Sequence, residues 1–185
     1  FLAPQPGGLY DRQIFGGMSG TKWGHISLAD GFPNPMYEDA IRSLLDLSKQ
    51  QFMGLVSGRL GIDSEDNIKP YGPGVMIGGN AMARLLSKID RDDTIKQLVP
   101  QIKTLRGASR DKAVKKLKFL AGLKRAGMQP TDYMMSKLPV LPPAYRPVYM
   151  TKDDKLRVSD LTVFYQNIGR INNSLKDMRG LPRRW

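Results

Sequence analysis

The 185-residue sequence contains no cysteine and a single histidine, His25. Without cysteine the chain can form neither a disulfide nor a cysteine-ligated zinc site, and one histidine excludes a histidine-rich metal site. The chain also has no apolar run that approaches the roughly 18 residues of a membrane span, and it has no basic-then-apolar leader. We therefore expect a soluble, untargeted protein with no membrane contact, in which only carboxylates are available to bind a metal.

Positive charge is plentiful but unevenly placed. The formal net charge is +12, yet residues 1–79 carry 6 basic and 8 acidic side chains, whereas residues 103–125 carry 9 basic and 1 acidic. Segregated positive charge favours a polyanionic partner, most often nucleic acid, because each neutralised phosphate releases condensed counterions. The alternative is a basic face that is only solvated.

The hydrophobic periodicity indicates a mainly α fold with irregular extended segments and little β structure. The pattern predicts a strand at 23–29, a helix at 37–58 with Gly54 as a weak point, a helix at 80–89 that Asn80 caps, and a helix that begins at Asp90 and is kinked at Pro100. Glycine and proline at 61–79 predict an internal boundary, and a phosphate-binding loop is disfavoured because the Gly-Lys-Ser/Thr ending is absent. We interpret the aspartates at 90–93 as helix caps rather than metal ligands, and His25 as a structural residue.

A basic helix follows this region. Ser109 is predicted to cap it, Val114, Leu117, Leu120 and Leu123 form its apolar stripe, and Gly127 and Pro130 end it. Together with residues 96–105 it predicts an antiparallel helical hairpin. Its candidate nucleic-acid contacts are Lys112, Lys115, Lys116 and Lys118.

Residues 138–147 contain four prolines, which rule out a helix and impose a stiff, extended path. Tyr145 and Arg146 lie between the last two prolines, and such side chains are unusual in a linker. The segment is a spacer or strap across a domain surface, or it holds a functional loop in position.

The final helix has the clearest pattern. After Ser159 and Asp160, apolar residues follow at spacings of 3, 4, 3, 4 and 3, which is the a/d pattern of a coiled coil. A core-packing helix is the alternative, but the remaining positions are polar and leave only a narrow apolar seam, which fits one partner helix. The candidate partner-binding residues are Leu161, Phe164, Ile168, Arg170, Ile171, Asn172, Asn173, Leu175 and Met178.

Several blocks occur in an order that resembles the largest subunit of multisubunit DNA-dependent RNA polymerase, called beta-prime in bacteria. The most specific block runs from Leu-Pro-Val-Leu-Pro-Pro-x-x-Arg-Pro at 138–147, through Ser-Asp-Leu at 159–161 and Tyr165, to Asn-Asn-x-Leu-Lys at 172–176. Blocks at 8–16, 24–29 and 79–90 also match, while residues 37–79 match weakly.

This resemblance implies the N-terminal part of the clamp, which closes over template DNA. Residues 143–158 would form the lid, a loop at the upstream edge of the RNA–DNA hybrid, where Arg146, Lys152, Lys155 and Arg157 would meet nucleic acid and two aspartates would make the turn. The last helix would be the first arm of the clamp coiled coil, which docks a sigma-like initiation factor. The implied partners are the beta subunit, the remainder of beta-prime, template DNA and the hybrid, in the cytoplasm of a bacterium or a phage-infected host.

The chain also departs from the family. A short turn at 16–23 replaces the four-cysteine zinc ribbon, so no zinc is expected. The Asn-Ala-Asp-Phe-Asp-Gly-Asp motif that holds the catalytic magnesium is absent, so this chain should hold no cofactor, have no catalytic residue and be inactive alone. The chain is then either a fragment of a longer subunit or a split subunit of a divergent, bacteriophage-type enzyme.

These patterns predict four segments: 1–79 as loop, strand and helix of the clamp, 80–137 as the basic hairpin, 138–158 as strap and lid, and 159–185 as coiled-coil arm and basic tail. The predicted roles are DNA clamping, separation of transcript from template, and initiation-factor docking. Two alternatives remain open. One is a standalone basic helical adaptor for nucleic acid, and the other is a hetero-oligomeric scaffold without enzyme activity.

Overall fold

A computed structural model describes residues 5–181, and the basic tail at 183–185 lies outside this range. The described chain is mainly helical, which confirms the predicted class. Its helices are α1 (Arg12–Phe15), α2 (Glu38–Leu45), α3 (Lys49–Ser57), α4 (Gly78–Ser87), α5 (Arg91–Thr104), α6 (Gly107–Ala126) and α7 (Asp160–Met178). Its strands are β1 (Gly24–Pro33), β2 (Leu60–Ile62), β3 (Ile68–Pro70), β4 (Met76–Ile77), β5 (Met134–Val140), β6 (Tyr149–Met150) and β7 (Leu156–Arg157). No helix within 5–181 is long and apolar enough to cross a membrane.

The chain forms two compact units. The central unit is Asp30–Met135, and the terminal unit combines the described residues 5–29 with residues 136–181. The boundaries of these units differ from those of the four predicted segments, because the terminal unit contains two separate stretches of the chain.

The central unit has an apolar core built by helices α2 to α6. Ile41, Leu55, Leu86 and Leu120 are fully buried in it. A small antiparallel sheet, in the order β3-β2-β4, covers part of this core, with Leu60 opposite Pro70 and Gly61 opposite Ile77. The sheet lies largely within residues 61–79, where glycine and proline predicted an internal boundary, and this stretch is inside the central unit. Glycine at position 61 lets the backbone of β4 approach β2 where a side chain would clash.

The predicted helix at 37–58 is two helices. Asp46 ends α2 in the left-handed conformation with φ 53°, and Ser48 then starts α3 with a capping box that also uses Gln51. Gly54 is not the break. A Cβ at Gly54 would overlap the side chain of Leu60, so glycine at this position allows α3 to pack closely on β2.

The predicted α5–α6 hairpin is present. Asp90 caps α5 by accepting a hydrogen bond from the Asp93 backbone N–H at 3.0 Å, as predicted. Arg91, at the start of α5, donates from Nη1 to the Met128 carbonyl at 2.7 Å, just beyond the end of α6, so the two helices are antiparallel. Gly127 ends α6 in the left-handed conformation as predicted.

Three details of the predicted helices are corrected. Helix α4 starts at Gly78 rather than at an Asn80 cap, and α6 starts at Gly107, two residues before the predicted cap Ser109. Val114 is exposed although it was placed in the apolar stripe. Residues spaced by three drift around a helix by about 60° per step, so a stripe from 114 to 123 cannot stay on one face.

The terminal unit has its own core, formed by Leu9, Tyr10, Phe15, Ile26, Val140 and Tyr165. Strands β1 and β5 pair in a two-stranded sheet, as do β6 and β7, and His25 lies in β1. The proline-rich segment is not extended throughout, because β5 ends at Val140 and residues 143–145 form a 3-10 turn. Pro139 is tolerated inside β5 because each strand of a two-stranded sheet has one side with no ladder to complete.

Candidate functional site

Residues 149–157 form an exposed β-hairpin, here called the lid-like hairpin. Tyr149 lies opposite Arg157, and Met150 lies opposite Leu156. The Thr151 N–H donates to the Lys155 carbonyl at 2.9 Å, and Asp154 adopts φ 54°, a left-handed conformation that Asp tolerates better than most residues. The two aspartates at 153 and 154 therefore lie in the turn, at the positions predicted.

The lid-like hairpin presents both apolar and cationic side chains to solvent. Leu156 and Met150 are 72% and 62% exposed. Lys152, Lys155 and Arg157 are also exposed, and none of the three makes an ion pair with another described residue. Their charges are available to phosphates, and the apolar side chains beside them are available for contact with a base or with another protein.

Arg146 lies at the base of this hairpin and is fully buried. Its Nε donates to the Leu141 carbonyl at 2.8 Å, and its Nη2 donates to the Leu9 carbonyl. The guanidinium carbon also lies 4.8 Å from the ring centroid of Tyr10 and 5.1 Å from that of Phe15. The predicted contact of Arg146 with nucleic acid does not fit this position, because protein carbonyls and rings already surround the guanidinium.

Arg146 belongs to a polar network that sequence reasoning did not find. The Tyr10 hydroxyl donates to the Arg146 carbonyl at 3.1 Å and lies 3.3 Å from Oγ1 of Thr162 in α7. The Tyr165 hydroxyl accepts from the Leu141 N–H at 3.2 Å and donates to the Pro139 carbonyl at 3.3 Å. The network ties the segment that enters the hairpin to the helix that leaves it. Burial lowers the pKa of the Arg146 guanidinium, because desolvation disfavours its charged form.

The apolar seam of α7 divides into two rows. Leu161, Ile168 and Leu175, the residues at the a positions, are partly buried, and the first and second of these pack against the core of the terminal unit. Phe164, Ile171 and Met178, the residues at the d positions, are 55%, 71% and 84% exposed. The structure thus leaves the d row uncovered by any described part of the chain.

The three polar residues predicted to bind a partner lie outside the d row. Asn172 is buried, donating from Nδ2 to the Ser27 carbonyl at 2.8 Å and accepting at Oδ1 from the Ala29 N–H at 2.8 Å. Its predicted partner contact is corrected, because the side chain is buried and both ends of its amide bind the β1 backbone. Arg170 is exposed and Asn173 is partly buried, so a partner can still reach Arg170.

The lysines predicted on α6 also divide into two kinds. Lys115 pairs with Asp39 at 2.8 Å, and Lys116 pairs with Asp46 at 3.3 Å. Lys112 and Lys118 are exposed, and neither forms an ion pair within the described chain. The acidic excess in residues 1–79 was a signal that some lysines have partners inside the chain, but it could not identify which ones.

The comparisons with known proteins confirm the resemblance found in the sequence. The chain is similar to the DNA-directed RNA polymerase subunit beta-prime of Enterococcus faecalis, of Lactobacillus acidophilus and of Bacillus licheniformis. Each is 32% identical over 105 residues, which are 57% of this chain and 9% of the relative. The match thus spans less than a tenth of the length of these relatives. No family profile matches the chain.

Proposed function

We propose that this chain forms part of the beta-prime subunit of a DNA-directed RNA polymerase and acts in transcription as a segment of the clamp. The similarity to beta-prime subunits over 105 residues carries this proposal. The separate exposure of the lid-like hairpin and of the d row supports it, because both surfaces lack a partner among the described residues. The bacteriophage-type source stays a prediction.

The lid-like hairpin would part the transcript from the template. Its exposed Tyr149, Met150 and Leu156 offer apolar faces for the last base pair of the hybrid, and the cations at 152, 155 and 157 offer contacts to both phosphate backbones. The buried Arg146 network would hold the base of the hairpin in position. Here Arg146 is a positioning residue and does not touch nucleic acid.

The d row of α7 would pack against a second helix, which gives a clamp coiled coil that a sigma-like initiation factor can dock on. In a coiled coil the d side chains insert between four residues of the partner, and exposed apolar side chains at heptad spacing are the surface that this packing needs. Phosphoryl-transfer chemistry would come from magnesium-binding aspartates in another part of the assembly, since this chain lacks the motif that holds them.

The d row is tested by Ile171→Asp in the assembled polymerase. Ile171 is 71% exposed, so this variant should fold normally and lose the partner helix and the initiation factor. Ile168→Asp is the contrasting variant, because Ile168 packs on the core and its replacement should also unfold the terminal unit. Gln166→Glu, at a position of the same helix outside the predicted partner-binding set, controls for the added charge. Retained initiation-factor binding by Ile171→Asp would refute the coiled-coil role.

The hairpin is tested by replacing Lys152, Lys155 and Arg157 with Gln in the same polymerase. We expect longer RNA–DNA hybrids during elongation, measured by ribonuclease H protection, because the upstream edge loses its phosphate contacts. Replacing Lys49, Lys69 and Lys103, which lie in the central unit, removes the same charge and should leave hybrid length unchanged. Equal hybrid lengths in all three proteins would contradict a lid role.

A further inference from the structure

The central unit contains a cleft that the functions proposed above leave unexplained. Its volume is about 270 Å³, slightly below the roughly 300–1,000 Å³ that is typical of sites for whole drug-sized ligands. It therefore has room for a single ring system. Its main lining residues are Tyr37, Lys118, Phe119, Gly122, Arg125 and Tyr133.

Two tyrosines form one wall of this cleft. Tyr37 is the last residue of a 3-10 turn and is 40% exposed, and its ring centroid lies 4.8 Å from that of Tyr133 with the planes tilted by 42°. Tyr37 therefore presents ring surface that the protein does not cover. Among the residues the structure describes, neither hydroxyl has a hydrogen-bond partner. Burial and the nearby Tyr37 raise the pKa of Tyr133, so its hydroxyl stays protonated and can donate.

Helix α6 supplies most of the other lining residues. A Cβ built on Gly122 meets no atom within 4 Å, so the glycine leaves an opening in the helix surface. Lys118 and Arg125 lie one turn before and one turn after this opening, on the same face of the helix, and both are exposed. No carboxylate lines the cleft. The opening is thus apolar and aromatic inside and cationic at its rim.

We propose that this cleft binds one unpaired nucleobase of a single-stranded nucleic acid, with Lys118 and Arg125 on the flanking phosphates. An aromatic ring accepts the flat face of any base, and cations along the rim follow the backbone, which is how proteins bind single strands without sequence preference. The charge favours this ligand over an apolar peptide, which needs no cationic rim. The proposal rests on the proposed function in one respect, since it requires that the chain meets nucleic acid.

The direct test fills the cleft without changing its charge. Gly122→Leu should place a side chain in the opening, whereas Gly122→Ala brings a similar gain in helix propensity and adds only a methyl group. The full chain is titrated with a fluorescein-labelled 12-nucleotide single strand, as DNA and as RNA. Because stacking of one base is worth about 1–3 kcal/mol, Gly122→Leu should weaken binding at least about fivefold, with Gly122→Ala within twofold of the native chain.

A second pair of variants separates the ring from the hydroxyl. Tyr37→Ala should weaken binding as much as Gly122→Leu does, and Tyr37→Phe should keep the stacking surface and most of the affinity. Replacing Lys118 and Arg125 with Gln should reduce the salt dependence by about 1 unit of slope per lost phosphate contact, whereas Lys69→Gln should leave it unchanged.

Three outcomes would overturn the proposal. In the first, Gly122→Leu and Gly122→Ala bind the single strand with equal affinity. In the second, the same variants weaken binding of a duplex of the same length as much as they weaken binding of the single strand. In the third, they weaken binding of a 12-residue peptide but not of the oligonucleotide. None of these results touches the lid-like hairpin or the d row, so the cleft can fail while the proposed function stands. If Ile171→Asp keeps its partners and Gly122→Leu still weakens single-strand binding, the function fails and the cleft stands.

Discussion

The two units of this chain differ in whether they bury polar side chains. All five buried polar or charged side chains of the described residues belong to the terminal unit: Asp11, Arg146, Thr162, Asn172 and Lys176. The buried side chains of the central unit form its apolar core, and its charged side chains lie outside that core, some in ion pairs such as Lys115–Asp39. An apolar core stabilises any well-filled packing, whereas buried hydrogen bonds are satisfied in one geometry only. The terminal unit therefore fixes the position of the hairpin and of α7.

The strongest way to break this comparison is Arg146→Leu. The change removes two hydrogen bonds from a charged group, and it should lower the free energy of unfolding of the terminal unit by about 4 kcal/mol. Hydrogen–deuterium exchange should show lost protection at 8–16 and 141–165 and unchanged protection in α6. Arg146→Lys keeps the charge but cannot reach both Leu9 and Leu141, so it should be destabilised by an intermediate amount. Loss of protection spread evenly over both units would contradict the local role of the network.

The matching change in the central unit is Leu120→Ala. Leu120 is fully buried, and its truncation should cost about 3 kcal/mol through lost burial and the cavity left behind. Val114→Ala, six residues earlier on the same helix, is the control, because Val114 is 42% exposed and should cost less than about 1 kcal/mol. Chemical denaturation monitored by circular dichroism measures both. Equal losses of unfolding free energy in the two variants would mean that the apolar stripe does extend to Val114.

A smaller effect is expected for Asn172→Leu. This change deletes the two hydrogen bonds between α7 and β1 and leaves the Ala29 N–H and the Ser27 carbonyl without their partner, which should cost about 2 kcal/mol. Asn173→Leu, at the next position, is the matched control and should cost little. Thermal unfolding compares the two variants. If the Asn173 variant is the less stable one, the assignment of Asn172 to the buried face is wrong.

The smallest effect concerns pH. The Asp11 carboxylate accepts from the N–H groups of Gly7, Gln13 and Ile14, and these bonds, that of Gly7 foremost, lower its pKa. Because the folded pKa is lower than the unfolded value of about 3.9, the stability it adds is present above that value and is lost as pH falls through the folded pKa. Between pH 6 and pH 3 the native chain should therefore lose more stability than Asp11→Asn. Urea unfolding measures the stability of both proteins at each pH. Equal losses of stability in the native chain and in Asp11→Asn would refute this role of Asp11.

The sequence predicted the central unit better than the terminal one. The aspartates at 90–93 predicted the start of α5, and Gly127 with Pro130 predicted the end of α6. Helical periodicity predicted the helical structure of α2 and α3, because apolar cores leave their period in the sequence. It missed the break at Asp46, after which a capping box at Ser48 starts a new helix. It could not predict that Arg146 is buried, since the partners are carbonyls and rings up to 137 residues away. The heptad pattern found the seam of α7 but could not tell the partly buried row from the exposed one.

The claim that the chain is part of a transcribing polymerase is tested most directly by purifying the native protein that contains it and assaying the product for DNA-dependent incorporation of ribonucleotides. We predict that it co-purifies with a second large polymerase subunit, that incorporation requires a DNA template, and that depleting the protein removes the activity. Purification of the protein without a second large subunit and without template-dependent incorporation would contradict the account.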